Sequence, residues 1–172
     1  LSAEPPGQVP WQLDAVDTDS LRALAAVHGG SLFTALLAGV MALLGRHGRQ
    51  DDIAVATPFA ARDRADFGGT IGCLVNTVIL RADLSGGTSF NAALARLAET
   101  VREALDHQDL PFPTLVERLN PPRDGHAPFT DVSLALQTGP AAVMLPFFFP
   151  SEGATLAFAN LALEPLPVPQ QL

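Results

Sequence analysis

The sequence predicts a mixed-sheet α/β sandwich. Two observations carry that expectation. Apolar residues recur at helical spacing in some segments and at strand spacing in others. The resulting order is helix-helix-strand-strand-helix-helix-strands, which calls for helices packed on a sheet. A third observation fits: the 172 residues are 48% hydrophobic and 16% charged, enough for one domain with a real core.

Residues 1–10 are rich in Pro and Gly and read as a linker, leaving 11–172 as the folded part. Trp11 to Ala15 reads as a short edge strand. Asp17 or Thr18 is expected to cap a helix carrying Leu21, Leu24 and Ala25, which stops at Gly29-Gly30. Ser31 caps a second helix. There Leu32, Phe33, Leu36, Leu37, Val40, Met41 and Leu44 form an apolar face wide enough to predict a mostly buried helix. Ile53 to Pro58 is a short strand that Pro58 is expected to end, and a polar loop fills 60–70. "IGCLVNTVILR", 71–81, is a second strand.

After the turn "SGGTS" comes an amphipathic helix from about Ser89 to Asp106. Its inner face is Phe90, Leu94, Leu97, Val101 and Leu105; its outer face carries Arg96, Glu99, Arg102 and Glu103. Pro111 suits the first turn of a further short helix. "PPRDGHAPF" is a loop, and "TDVSLALQ" alternates like a strand. "AAVMLPFFFP" and "ATLAFANLALEPLPV" read as a hairpin or meander.

The net charge is −8, and all ten basic residues are Arg. An acidic chain without a basic stripe argues against nucleic acid and anionic membrane as partners. The longest apolar run, Leu32 to Leu44, is too short to span a bilayer. No basic-then-apolar leader opens the sequence, and Cys73 stands alone, so a cytoplasmic setting is the expectation. Cys73 reads as a small buried hydrophobe. The start at Leu1, without Met, leads us to expect an excised piece.

No catalytic constellation is self-evident. The four histidines, His28, His47, His107 and His126, lack metal-ligand spacing, and no Gly-x-Ser-x-Gly elbow is present. Gly29-Gly30, Gly68-Gly69 and Gly86-Gly87 lack the partners of a phosphate loop and read as turns. Asp51-Asp52 reads as a solvated turn. Three features are unusual. Asn76 interrupts a row of aliphatics that it shares with Leu74, Val78 and Leu80. A buried amide must be hydrogen-bonded or face a wet cavity. His107 to Phe112, "HQDLPF", ends a helix in a polar triplet, where Asp109 could cap the next helix. Arg62 closes "TPFAAR", just after a strand.

These features fall in one order within "DDIAVATPFAAR", "IGCLVNTVILR", "HQDLPF" and "RDGHAPF". Together they resemble the later motifs of nonribosomal peptide synthetase condensation domains, and "SLFTALLAGVMALLGRHGRQDD" resembles the family's long buried helix. The resemblance covers about residues 11–138 well and the tail more loosely. It implies one chloramphenicol acetyltransferase-like lobe of a two-lobed domain with a tunnel between the lobes. Two carrier proteins would deliver a donor thioester and an acceptor amine on phosphopantetheine arms, and an adenylation domain would lie adjacent. The family's His-His-x-x-x-Asp-Gly motif belongs to the N-terminal lobe and is missing from this sequence. The resemblance therefore implies a C-terminal lobe, with no bound cofactor or metal and no catalytic residue of its own. The lone chain is expected to be inactive.

On this reading Arg62 matches an Arg thought to face the motif's Asp across the lobes. Asn76, Thr77 and Arg81 become candidates for the tunnel or the lobe interface. Asn76 remains equally open to a structural role, satisfied by neighbouring backbone. His107, Gln108, Asp109, Arg123 and Asp124 are expected to knit helix ends and loops. Some departures stand out. Ala56 replaces a common Gly, and Ala127 a frequent Asn. The segment 139–160 is longer than expected, and the family's closing strand and helix are missing after "LALEPLPV". An incomplete lobe would expose apolar surface and favour a homodimer. Two alternatives share the fold: a catalytically silent module that recruits a partner, and a lobe of an epimerisation or cyclisation domain. "HQDLPF" leans towards peptide-bond formation.

Overall fold

The computed structural model describes residues 9, 11–60, 74–122, 125–137, 156–158 and 161–163. It holds two compact units, Leu1–Leu134 and Ala135–Leu172. In the first unit the order is α1 (Ala15–Val27), α2 (Leu32–Gly48), β1 (Asp52–Ala60), β2 (Val75–Asp83), α3 (Phe90–Asp106) and α4 (Phe112–Leu119). In the second, β3 (Leu156–Phe158) and β4 (Leu161–Leu163) pair antiparallel.

Local chemistry sets the helix ends. Asp14 caps α1: its Oδ1 accepts from the Asp17 N–H at 2.8 Å. Residues 11–14 therefore enter a helix without regular structure, and the expected edge strand at Trp11 to Ala15 does not form. Asp17 and Thr18 lie inside the helix rather than at its cap. At the other end Gly29 takes φ 72°, and the Gly29 and Gly30 N–H groups return to the Ala26 and Ala25 carbonyls, closing a Schellman motif. The chain turns by 95° and Ser31 caps α2, in a capping box with Thr34. Among the described residues no single helix is long and apolar enough to cross a membrane.

β1 and β2 pair antiparallel from Asp52↔Asp83 to Ala60↔Val75. Alternation assigns Ile53, Val55 and Thr57, with Ala82, Leu80 and Val78 opposite them, to one face. That face packs on α2 and α3, and the core forms there from Leu37, Met41, Val55, Leu80, Leu94 and Leu97 with smaller neighbours. The other face carries Asp52, Ala54, Ala56 and Pro58 opposite Asp83, Arg81, Ile79 and Thr77.

A parallel bridge, Ala56↔Ser133, joins the outer edge of β1. The Ala56 N–H donates to Val132 O and the Leu134 N–H to Ala56 O, both at 2.9 Å. The sheet is thus mixed, as expected, although 130–137 contributes one bridge rather than a full strand. Pro58 does not end β1, which continues to Ala60. Two residues beyond Ala56, Pro58 presents its nitrogen to the outer edge, so its missing N–H leaves the β2 ladder intact.

One burial expectation needs correction. Phe90, in the first turn of α3, is 40% exposed. α2 is mostly buried, as expected, and its exposed Gly39 and Leu43 line a groove of about 630 Å³ that Phe90 also lines.

Candidate functional site

Asn76 lies on the helix-packed face of β2, opposite Phe59, where the strand passes the end of α3. Its Nδ2 donates to Gln108 O at 2.8 Å and to Leu110 O at 2.7 Å. Its Oδ1 accepts from the Phe112 N–H at 3.0 Å. The amide in the aliphatic row therefore spends its hydrogen bonds on main chain 32 to 36 residues away. His107 is the C-cap of α3, its N–H directed to the Ala104 and Leu105 carbonyls. The Leu110 N–H closes the turn on His107 O at 3.2 Å. The N-cap of α4 is Pro111, not Asp109, and it offers no side-chain cap.

Phe112 continues the convergence. Its ring meets Phe129 edge-on, with centroids 6.2 Å apart. Phe129 is held at φ 71°, uncommon for an aromatic residue. Beyond it, Thr130 Oγ1 donates to Ala54 O at 2.8 Å and accepts from the Val132 N–H at 3.0 Å, fastening this segment to β1. Asp131 accepts from the Ala127 N–H at 3.0 Å and pairs with His126 Nδ1 at 2.9 Å. The Ala127 N–H, and then His126, hold the Asp131 carboxyl below its usual range.

Arg81 lies on the opposite face of β2 from Asn76, so the two do not meet. Its Nε and terminal nitrogen grip Asp52 at 2.7 and 2.5 Å. These hydrogen bonds lower the Asp52 pKa and raise that of Arg81. The pair is exposed and borders a cavity of about 580 Å³, lined also by His47, Ile79, Phe129 and Asp131. Thr77 shares that face, half-buried opposite Pro58. Arg62, Cys73, Arg123 and Asp124 lie outside the described residues.

Sequence reasoning missed Asp52, Phe129 and Asp131. Asp52 had a signal, an acid at the start of a strand, but its partner depends on strand register. Among the described residues no three His, Cys, Asp or Glu side chains form a metal-binding group. What this arrangement does chemically is to fix main chain: a strand, a helix end and a loop held at one end of the sheet.

The condensation-domain family model matches residues 6–155. This chain belongs to the condensation-domain family. It is 44% identical over 129 residues to chondramide synthase cmdD of Chondromyces crocatus, covering 74% of this chain and 3% of the synthase. It is 43% identical over 115 residues to malpibaldin synthetase of Mortierella alpina, covering 67% of this chain and 2% of the synthetase. The chain thus spans only a few per cent of the curated relatives it matches. Among solved structures it is similar to a holo four-domain nonribosomal peptide synthetase bound to AMP and glycine. That match has TM-score 0.76 and 25% identity, over 92% of this chain and 12% of the synthetase. The X-domain in complex with OxyB from teicoplanin biosynthesis aligns with TM-score 0.64 and 30% identity, over 70% of this chain and 27% of that one. The chain is accordingly a nonribosomal peptide synthetase condensation-domain sequence with the mixed α/β fold of that family.

Proposed function

We propose that this chain is the C-terminal lobe of a condensation domain and forms one wall of a substrate tunnel. The observation that carries the reading is the convergence of three motif segments. Asn76 of "IGCLVNTVILR" bonds the main chain of "HQDLPF", and Phe112 of that segment meets Phe129 of "RDGHAPF". An enclosure for two tethered reactants needs walls that do not yield, because holding them in line supplies a large share of the rate.

The reaction is attack of an acceptor amine on a donor thioester. A carbon–nitrogen bond forms, the carbon–sulfur bond breaks, and the amine proton leaves with the thiol. Both reactants would arrive on phosphopantetheine arms of carrier proteins, and an adjacent adenylation domain would load the acceptor carrier. The His that orients or deprotonates the amine comes from the N-terminal lobe. Arg62 would face the motif's Asp there, and Thr77 and Arg81 would serve the tunnel or lobe-facing surface. A cytoplasmic setting fits this chemistry.

The test is reconstitution. The upstream coding sequence is read for an intact His-His-x-x-x-Asp-Gly, and the two lobes are expressed as one chain with carrier proteins loaded with donor and acceptor. Dipeptidyl product from the joined lobes, and none from the 172-residue chain, is the expected result. A joined protein with the motif intact but no product overturns the reading. The similarity to the X-domain in complex with OxyB supports a second reading, a silent module that recruits a partner. An upstream lobe with that His replaced would favour it.

A further inference from the structure

The first turn of a helix leaves four N–H groups without helical partners, and a capping side chain normally takes one or two of them. α4 is built differently. Its N-cap, Pro111, has neither an N–H nor a capping oxygen, and Pro113 lacks an N–H too. That leaves Phe112 and Thr114 as donors. The Phe112 N–H is taken at 3.0 Å by Asn76 Oδ1, from a strand 36 residues earlier. The other end of the same amide holds the two carbonyls just upstream, of Gln108 and Leu110. Acceptor and donors of one side chain thus grip both sides of the bend between α3 and α4.

We propose that Asn76 is a positioning residue: it is the distant cap of α4 and sets where segment 107–112 sits on β2. The main chain carrying His107, Gln108 and Asp109 is registered to the strand through this amide. α4 buries no residue completely, so packing alone anchors it weakly. Its start is fixed by the amide and by the Phe112–Phe129 contact. The link to function rests on the tunnel-wall reading above, while the mechanical coupling does not.

No isosteric replacement keeps both halves of the grip. A carboxylate still accepts from the Phe112 N–H but repels the Gln108 and Leu110 carbonyls. Once protonated, it regains one donor. Facing two carbonyl oxygens, the introduced carboxyl would titrate above its ordinary range.

The experiment is amide hydrogen exchange read by NMR on the 172-residue chain and its Asn76→Ala and Asn76→Asp variants. In Asn76→Ala the Phe112 N–H, left without its acceptor, should exchange roughly 10- to 100-fold faster, the scale of one lost buried hydrogen bond. The Leu110 N–H, which closes the turn on His107 O, should accelerate indirectly as that turn loses the Asn76 bond to the Leu110 carbonyl. Met41, in the core of α2, should stay unchanged. In Asn76→Asp at pH 7, Phe112 should stay protected while Leu110 accelerates. Leu110 should regain protection as the pH is lowered towards 5. His107 and Asp109 lie on the same segment in every variant, so each rate is taken relative to the parent chain at the same pH. Phe112 exchange within twofold of the parent in Asn76→Ala would overturn the proposal. So would equal acceleration of Phe112 and Met41, the mark of a general packing role. If Asn76→Ala does not fold, Asn76→Asp decides through its Leu110 pH profile: a flat profile overturns the proposal. Exchange is read without any condensation assay, so this proposal and the functional reading fail separately.

Discussion

Arg81 and Asp52 sit two residues out of direct register on neighbouring strands, yet they meet through two parallel hydrogen bonds of 2.7 and 2.5 Å. The planar guanidinium and carboxylate match as forks, so the geometry survives exposure. Exposure limits what it contributes: the two side chains are 72% and 56% accessible, and water and salt screen the attraction. Arg81→Ala should therefore leave the thermal midpoint nearly unchanged at 0.15 M salt. The small difference from the parent chain should shrink further at 1 M salt. Differential scanning calorimetry at the two salt concentrations checks both expectations.

Acid should weaken the fold through three carboxylates. Asp52 is lowered by Arg81, Asp83 by the Ser85 N–H and Asp131 by the Ala127 N–H. A depressed folded-state pKa means that between the folded and unfolded values the unfolded chain binds more protons. The stabilisation is complete above the ordinary carboxylate value, about 3.9, and is lost as pH falls through the lower folded value. Urea midpoints should thus stay flat in these groups from pH 7 to about pH 5 and fall below about pH 4. Asp131→Asn should flatten part of that fall.

Truncating the core should be far more damaging than either change. Leu94 and Leu97 are fully buried between α3 and the sheet. Leu94→Ala or Leu97→Ala should cost about 2–5 kcal/mol, combining lost burial with an unfilled cavity. Urea unfolding with an unchanged slope would report this as a stability loss in an intact fold.

Two glycines should respond in opposite directions. Gly39 sits in mid-helix on an exposed side of α2, and a Cβ there would meet nothing within 4 Å. Gly39→Ala should stabilise by about 0.5–1 kcal/mol. Gly29 also has open space, but its φ is 72° and it closes the Schellman motif of α1. Gly29→Ala should destabilise by about 1 kcal/mol, through backbone strain alone. Chemical denaturation of the two variants side by side gives the sign of each.

Local signals were legible in the sequence and distant ones were not. Ser31 caps α2 as expected and α3 begins beside Ser89 as expected, because a cap and the helical period after it lie within a few residues. The inward set Leu94, Leu97 and Val101 follows from that period. Trp11 to Ala15 misled, since brief alternation resembles a strand but the Asp14 side chain commits the segment to a helix start. The side to which Pro58 turns its nitrogen depends on a partner strand, and so does the Asp52–Arg81 match. Periodicity shows neither. Asn76 was visible as an anomaly, but its partners are 32 to 36 residues away. Only the shared family motifs brought those segments to attention together.

The placement of Pro58 has a consequence for how this molecule meets copies of itself. A strand edge with free N–H and C=O groups is a template for another chain. On the outer edge of β1 the Ala54 carbonyl is taken by Thr130, and both Ala56 groups are taken by Val132 and Leu134. The next outward-facing residue is Pro58, which has no N–H to offer an incoming strand. From Ala54 to Pro58 that edge is thereby a poor template for intermolecular ladder growth: the Ala54 carbonyl and both Ala56 groups are taken, and the proline has no N–H to give.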